Sequence, residues 1–410
     1  MRLSYYLIRL LTAPFAFLPY SAIHKIGRFF GSIAYYAYPK FRKRAHSNLA
    51  LARDLSLNPK QIRKIAKQAM QNLMITCLEY PRLAREKELD KIVFCDNPEE
   101  AAAFIEKGEG VVFFCGHQAN WELLFLEGTR RMPGVAIGRP IKNKFLYKWV
   151  LSIRERYGGK IVSPKNAIKE GLRALKKGAF LGIVGDQGMP DSGFSSSFLG
   201  REAWTSPMPA LLAVRTQSPL FVAITIREEK RYLIHYSPPL FPDPSKPADE
   251  EVDRLMREAL AFFEESIKAH PGQWLWQHNR WKQQSLDVIK RPYRHDAIAI
   301  VLPKNKPHLA SQIEAFRTIY PREFIALFMP EPHIIPTIET LPLSQVFEED
   351  LRFKLIFNFT EDRAIDRHFK KLSAFEIVSL ERLKKESGVE DENNLALMLK
   401  KALRRDYLTI

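Results

Sequence analysis

The residues of this chain best suited to catalysis are a histidine and a glutamate five positions apart, His117 and Glu122. The apolar run 111–115 ends just before His117, and Asn120 then offers a helix N-cap. The pattern therefore predicts a buried strand with His117 directly after its last residues. Five residues along one helix rotate by about 140°, so the two side chains can meet only if His117 lies in the loop before the helix. There Glu122 would hold the imidazole in one tautomer, and His117 would act as a general base toward a hydroxyl. A strand-end histidine bonded only to backbone is the alternative.

Other polar residues follow predicted strands. Asp186 comes directly after the apolar run 180–184 and lies with Gln187 between two glycines, which permit close backbone approach. Arg139 ends another predicted strand, and Arg154 lies on the helix after it. Either arginine could bind a phosphate or stabilise a developing oxyanion. An ordinary Asx turn at Asp186 and a solvated charge at Arg154 are the alternatives.

The formal net charge of +17 over 410 residues is unevenly distributed. Residues 1–72 contain thirteen lysines and arginines against Asp54 alone, a local excess of twelve positive charges. Such an excess indicates an acidic partner, which could be nucleic acid, an anionic membrane surface or a phosphorylated substrate.

The basic N-terminal region also holds the most apolar part of the chain. The charge-free run between Arg9 and Lys25 is shorter than the about 20 residues that a spanning helix needs, and Pro14 and Pro19 interrupt it. Aromatic and basic residues mixed with small apolar ones favour a helical segment at the membrane interface. A single span in which Arg9 reaches the interface and a buried N-terminal hairpin are the alternatives.

Three scattered cysteines do not indicate a disulfide framework. Cys115 could form a nucleophile with His117, but it closes an apolar run, which favours a packed core position. No paired cysteine or histidine spacing of a zinc site occurs, and no glycine-rich phosphate loop occurs, so neither a metal nor a nucleotide is predicted.

The alternation of apolar and amphipathic segments predicts an α/β fold with a largely parallel central sheet flanked by helices. An amphipathic helix begins after Asn58 and ends before Pro81. Predicted strands are 91–95, 110–115, 134–138, 179–184, 219–226 and 231–237. Predicted helices are 97–107, 120–131, 143–157, 165–177, 206–216 and 248–269.

A composition break near residue 290 predicts a small additional α/β unit. Its predicted strands are 297–302, 324–328 and 353–357, and its predicted helices are 307–318, 362–371 and 391–404. We therefore divide the chain into a membrane-associated helical N-terminus (1–57), a central domain (58–288) and an accessory unit of unknown role (289–410). No feature of the sequence indicates an oligomeric state.

Six motifs, collinear over about residues 1–285, resemble those of the lipid A late acyltransferases, which transfer secondary acyl chains in lipopolysaccharide biosynthesis. They are His117-Gln-Ala-Asn-Trp-Glu122; Arg139-Pro140 with Asn143; Arg154 with Tyr157 and Gly158; Asp186-Gln187; Phe198, Gly200 and Thr205; and Leu275-Trp276 with His278 and Arg280. Each motif is weak alone, but six in the same order are specific.

The resemblance implies a glycerolipid-acyltransferase-like fold and an enzyme on the cytoplasmic face of the inner membrane. It implies acyl transfer from acyl carrier protein, or from coenzyme A, to a hydroxyl of an anionic lipid A precursor, without a metal or other cofactor. His117 would be the general base and Glu122 its orienting partner, with Arg154 at the oxyanion or a phosphate and Asp186 in a supporting polar role. The predicted substrate contacts are Arg139, Asn120, Gln187 and Thr205.

Three other functions compete with this interpretation. The same residues could acylate a lysophospholipid or a glycolipid such as a phosphatidylinositol mannoside. The chain could be a non-catalytic membrane-associated protein, although it keeps both His117 and Glu122. A nucleic-acid binder is disfavoured because the basic region is strongly apolar and no nucleic-acid module is recognisable.

Overall fold

A sheet of seven strands organises the chain between residues 93 and 236. The computed structural model describes residues 2–229, 231–284 and 288–406. The strands of this part are β1 (Val93–Cys95), β2 (Val111–Cys115), β3 (Gly134–Ile137), β4 (Lys160–Val162), β5 (Phe180–Val184), β6 (Ser195–Phe198), β7 (Arg201–Trp204), β8 (Leu220–Arg227) and β9 (Tyr232–Tyr236). The sheet has the order β1-β9-β8-β2-β5-β3-β4, while β6 and β7 form a separate antiparallel pair. Among the described strand pairs of this sheet, only β8 and β9 are antiparallel. This confirms the predicted, largely parallel sheet.

The central strand β2 sets the position of the catalytic candidates. All five of its residues are buried, as expected for a strand covered on both faces. In its register with β5, Cys115 lies opposite Val184, so the chain leaves both strands at the same edge of the sheet. The loops that follow β2 and β5 are therefore neighbours, which is where ligands usually bind in parallel sheets.

Helices precede the sheet and cover its faces. They are α1 (Arg2–Thr12), α2 (Tyr20–Ala37), α3 (Pro39–Leu51), α4 (Pro59–Leu83), α5 (Glu99–Glu106), α6 (Glu122–Arg131), α7 (Lys144–Arg154), α8 (Ala167–Leu175), α9 (Met208–Thr216) and α10 (Ala248–Ala269). All six helices predicted between residues 97 and 269 are present. One predicted end is wrong, because α4 continues past Pro81 to Leu83. Pro81 and Leu83 are both buried there, so their packing outweighs the hydrogen bond that proline cannot donate.

The N-terminal helices expose much apolar surface. Helix α2 packs directly on α4, since a Cβ on Gly31 would lie 2.4 Å from the Cα of Gln71. Helix α1 has no buried residue. Of the twenty large apolar side chains that are exposed among the described residues, thirteen lie at or before Phe41. No described helix combines the length and apolar character needed to cross a membrane.

Residues 296–403 form a second sheet with its own apolar core. Its strands are β10 (Ala297–Val301), β11 (Phe324–Met329), β12 (Glu339–Pro342), β13 (Leu355–Asn358) and β14 (Glu376–Ser379), and its helices are α11 (Ala315–Ile319), α12 (Arg363–Lys371), α13 (Leu380–Ser387) and α14 (Leu395–Leu403). The strand order is β12-β11-β10-β13-β14, and all pairs are parallel. The sequence did not predict β12, β14 or α13, which are short and lack long apolar runs. The predicted boundary after residue 288 follows residues 285–287, which lie outside the described residues.

A buried ion pair lies where the C-terminal unit meets the rest of the chain. The ammonium of Lys354 donates to Oδ1 of Asp296 at 2.7 Å, and both residues are buried at the start of their strands. The same ammonium donates to Oδ1 of Asn48 on α3 at 3.0 Å and to Oδ1 of Asn279 at 2.7 Å. One fully coordinated cation therefore joins the second sheet to the N-terminal helices and to the segment after α10.

We expect Lys354→Ala to lower the free energy of unfolding by about 3–5 kcal/mol, because the buried Asp296 carboxylate loses the ammonium that donates to it and keeps only the more distant guanidinium of Arg201, 3.7 Å away. Equilibrium denaturation in urea measures this change. The matched control is Lys371→Ala at an exposed position of α12, with an expected change below about 0.5 kcal/mol. Equal stability of the two variants would show that the buried pair does not hold the junction.

Candidate active site

His117 lies in the loop between β2 and α6, as the spacing predicted. The preceding Gly116 is required by packing, since a Cβ at this position would lie 2.0 Å from the ring of Phe263 on α10. The backbone of the loop pairs with the segment after α10: Leu275 N donates to His117 O at 3.1 Å, and Ala119 N donates to Gln273 O at 2.8 Å. The histidine is therefore held by backbone contacts from outside its own loop.

The loop contains a backbone conformation that is unusual for its residue type. Ala119 has φ = +46°, in the left-handed region, and is completely buried. Its carbonyl oxygen accepts hydrogen bonds from Asn72 at 3.2 Å and from Thr76 at 3.0 Å, both on α4. Such strain costs on the order of 1–3 kcal/mol and persists only where the surroundings enforce it. Helix α4 thus helps to fix the turn between His117 and α6.

Asp186 is the partner of the His117 side chain. Its Oδ1 accepts from Nδ1 of His117 at 2.7 Å, and its Oδ2 accepts from the backbone N–H of the same residue at 2.8 Å. Oδ2 also accepts from Nε1 of Trp274 at 2.8 Å. Because a carboxylate can only accept, the proton of the neutral imidazole lies on Nδ1, and Nε2 carries the lone pair.

The electrostatics of the pair favour a charged carboxylate. Burial alone would raise the pKa of Asp186, but the charge and hydrogen bonds of His117 outweigh it and hold this pKa well below its usual value. Burial alone would lower the pKa of His117, but the charge and hydrogen bond of Asp186 raise it above the usual 6.5. His117 is therefore a stronger base than a free imidazole.

The second nitrogen of His117 is the one available to a substrate. The side chain keeps 18% of its surface exposed, and Nε2 lies 3.4 Å from the carboxamide nitrogen of Gln187. The ring of Trp121 lies edge-on, with its centroid 4.8 Å from that of His117. A hydroxyl that approached Nε2 would meet a general base of fixed tautomer.

Glu122 has a different partner from the one that the spacing predicted. Its carboxylate accepts two hydrogen bonds from Arg154, from Nε at 2.6 Å and from Nη2 at 2.5 Å. Nη2 also donates to the hydroxyl of Tyr80 at 3.3 Å. The predicted orientation of His117 by Glu122 is therefore wrong. The first turn of α6 directs the carboxylate toward α7, whereas the loop after β5 brings Asp186 to the imidazole.

Residues 2–283 match the family model of the bacterial lipid A biosynthesis acyltransferases. The chain belongs to this family. No curated protein gives a significant match. Among solved structures, the crystal structure of the 1-acyl-sn-glycerophosphate (LPA) acyltransferase PlsC from Thermotoga maritima is similar over 60% of this chain and 98% of that chain, with 14% identity and a TM-score of 0.30. The family match confirms the predicted resemblance and ends before the C-terminal unit.

The four predicted substrate contacts of this family member lie in different environments. Gln187 faces Nε2 of His117, and Arg139 is exposed after β3. Asn120 is buried; its amide donates to Glu79 at 2.7 Å, and its oxygen accepts from the backbone N–H of Glu122 at 3.2 Å. Thr205 is completely buried, and its hydroxyl accepts from Arg280 at 2.7 Å. These last two residues are therefore bonded to other parts of the protein, and their contact with substrate stays a prediction.

Trp274 and Glu79 are positioning residues that the sequence did not reveal. Trp274 lies in the aromatic segment after α10, which the sequence could not distinguish from an ordinary core element. Glu79 lies inside α4 and accepts from Asn120, from the hydroxyl of Tyr232 at 2.6 Å and from His24 at 2.7 Å. Burial would raise the pKa of Glu79, but the hydrogen bond of His24 and the charge of Arg227 lower it. A buried, charged glutamate therefore anchors the loop beneath His117.

We expect Asp186→Asn to shift the acidic limb of the kcat/KM profile to lower pH. A histidine that acts as a general base must first lose its proton, so we expect activity of the unaltered protein to rise with pH through a pKa above 6.5. Without the carboxylate, burial dominates and lowers that pKa, while the loss of the fixed tautomer lowers kcat by about 10²–10⁴-fold. Rates of acyl transfer measured across pH 5–9 (about two units either side of neutrality) test both effects.

Two variants serve as controls for this experiment. Glu122→Gln removes a charge that raises the pKa of His117 less than Asp186 does, so its acidic limb should shift less, while its rate falls through loss of the Arg154 pair. Asp96→Asn breaks a surface histidine–aspartate pair with His235 and should leave the profile unchanged. A larger shift in Glu122→Gln than in Asp186→Asn would restore Glu122 as the partner of His117.

Proposed function

We propose that this acyltransferase moves a fatty acyl chain from acyl carrier protein to a hydroxyl of a lipid A precursor, with His117 as the general base. The observation that carries the proposal is the imidazole whose Nδ1 is fixed by buried Asp186 and whose Nε2 is accessible at the end of β2. A fixed, raised-pKa imidazole is suited to removing a proton from an alcohol near neutral pH.

The proposed reaction proceeds by direct attack. His117 Nε2 takes the proton of the acceptor hydroxyl while the oxygen forms a bond to the carbonyl carbon of the thioester. The tetrahedral intermediate then collapses, the carbon–sulfur bond breaks, and the departing thiolate takes the proton back from His117. The products are an ester and a free thiol, so no redox partner, metal or organic cofactor is needed. Coenzyme A is the alternative thioester carrier.

Arg154 is the candidate for stabilising the negative charge that develops on the thioester oxygen. Its Nε and Nη2 are held by Glu122, and its Nη1 has no hydrogen-bond partner among the described residues. A guanidinium that is fixed on one side and open on the other is preorganised for an oxyanion or a phosphate. In this proposal Glu122 acts through Arg154, as a positioning residue.

An apolar cavity beside His117 suits the beginning of an acyl chain. Trp121, whose ring contacts His117, lines it together with Phe125, Phe180 and Gly182. Its volume of about 50 Å³ admits only a few atoms, so a longer chain requires these side chains to move apart. The walls are apolar, which matches the chemistry of a hydrocarbon tail.

The surface of the N-terminal helices supports a site of action at the cytoplasmic face of the inner membrane. Exposed apolar side chains on α1 and α2 lie among lysines and arginines, a combination suited to the interface of an anionic bilayer. The same basic surface suits an acidic carrier protein. The proposed membrane contact is interfacial.

We expect purified protein to transfer a labelled acyl chain from acyl carrier protein to a tetra-acylated, Kdo-bearing lipid A precursor in detergent. His117→Ala should lower the rate by at least about 10²-fold, because the general base is lost. Separation of the labelled lipid product by thin-layer chromatography measures the transfer.

The matched control is His235→Ala, which removes a histidine of another histidine–aspartate pair, at the surface, and should retain full activity. Folding of each variant is checked by circular dichroism. Equal rates for His117→Ala and the unaltered protein would exclude His117 as the base. Transfer to a lysophospholipid but not to the lipid A precursor would contradict the proposed acceptor.

A further inference from the structure

A large, basic cavity lies between the C-terminal unit and the family-matched part of the chain, and residues of both line it. Its volume is about 740 Å³, within the range of about 300–1,000 Å³ typical of small-molecule sites. Three stretches of chain line it: the start of α3, residues 278–284 after α10, and residues 291–296 before β10. The C-terminal unit also contributes Phe375, whose ring stacks on that of His295 with centroids 5.3 Å apart.

Positive charge in this cavity exceeds negative charge. Among the described residues, seven lysines and arginines line it, against three carboxyl groups. Of the carboxyl groups, Asp296 is paired with Lys354, and Glu376 is paired with Arg382 at 2.5 Å. Burial raises the pKa of the third, Glu323, to about 7, so this group is partly neutral at physiological pH. Among the described lining residues, the cationic groups therefore outnumber the charged carboxylates.

Lys282 shows the imbalance most clearly. Its side chain is half-buried, and its ammonium has no hydrogen-bond or ion-pair partner in the part of the chain that the structure describes. Burial lowers its pKa, and the neighbouring charges of Arg44, Arg139 and Arg294 lower it further, while the carboxylate of Asp296 opposes the shift without reversing it. A desolvated cation among other cations is unfavourable unless an anion joins it.

The cavity lies close to the catalytic residues. His278 lines it, and the charges of Asp186 and His117 both act on the His278 ring. The charge of Arg139, a predicted substrate contact after β3, reaches Lys282. On its other side the cavity includes Lys40 at the start of α3, next to Tyr38, which is 59% exposed. The lining of the cavity therefore includes one histidine within electrostatic reach of the catalytic pair and one lysine next in sequence but one to an exposed aromatic residue.

We propose that this cavity binds the phosphorylated headgroup of the acceptor lipid, so that the C-terminal unit completes the acceptor site. The assignment rests on the proposed function. Lysines and arginines from several segments recognise phosphoryl oxygens, and a flat aromatic wall packs against a ring. A free phosphorylated solute shares this chemistry, but the neighbouring catalytic histidine and apolar surface favour a lipid headgroup.

The first experiment uses inorganic pyrophosphate as the probe, titrated calorimetrically into the full-length protein in detergent. We expect saturable binding that Lys282→Gln weakens by about tenfold or more, the usual effect of removing one charged contact. Lys282→Arg keeps the charge and should restore most of the affinity. Lys385→Gln, at an exposed position of α13, is the matched control and should bind as the unaltered protein does.

The second experiment compares acyl transfer to phosphorylated and dephosphorylated acceptors. We expect Lys282→Gln to raise KM for the phosphorylated acceptor by about tenfold or more, with a smaller effect on kcat and none on KM for the dephosphorylated acceptor. A purely structural role of Lys282 would instead affect both acceptors equally.

The outcomes separate this proposal from the function on which it rests. Pyrophosphate that does not bind, or that binds Lys282→Gln equally well, overturns the phosphate site, whatever the activity. Lys282-dependent binding with an unchanged KM for the phosphorylated acceptor assigns the cavity to a free solute and overturns the headgroup assignment. Absence of transfer to every acceptor overturns the proposed function and, with it, the headgroup assignment, while the pyrophosphate titration still decides whether the cavity holds phosphate.

Discussion

The buried carboxylate of Asp186 is the interaction on which the active site depends. It retains 3% of its surface, so its charge is stabilised almost entirely by the ring and backbone of His117 and by Trp274. These donors belong to the loop after β2 and to the segment after α10, while the acceptor follows β5. Removal of a single donor would leave a buried charge less well solvated, at a cost of several kcal/mol. The contacts that hold these segments together are thus the contacts that set the tautomer of His117.

Three carboxylates surround the loop of His117, and each has its own partners. Asp186 is bonded to His117, Glu122 to Arg154, and Glu79 to His24 and Tyr232. Because each carboxylate has separate partners, no two of them compete for one cation. This separation favours a well-defined protonation state for each group in a crowded site. The pairs also differ in what they hold, because Asp186 orients an imidazole and Glu122 fixes a guanidinium. Asn120 joins two of the groups, since it donates to Glu79 and caps the N–H of Glu122.

Sequence patterns predicted the strands and helices around the site but assigned the histidine the wrong partner. Spacing along the chain relates only residues that are close in sequence, so it offered Glu122. The partner follows from strand adjacency: Cys115 lies opposite Val184, and His117 and Asp186 each come two residues later. A repeated signal was present, since each of these two strands is followed by a glycine and then by a titratable residue. This repetition would have indicated that His117 and Asp186 lie side by side only if β2 and β5 were already known to be neighbours. The burial of Asn120 and Thr205 could not be predicted for the same reason, because their partners Glu79 and Arg280 lie 41 and 75 positions away in the sequence.

The C-terminal unit is joined to the active site through one short segment. Asn48 on α3 donates to the carbonyl oxygens of Trp276 and His278, and its own side-chain oxygen accepts from Lys354 of the C-terminal unit. Two residues before Trp276, Trp274 donates to Asp186. Lys354 also donates to Asn279, within three residues of Trp276. The unit that lies outside the family match therefore contacts, directly and through Asn48, the same segment after α10 whose Trp274 bonds Asp186.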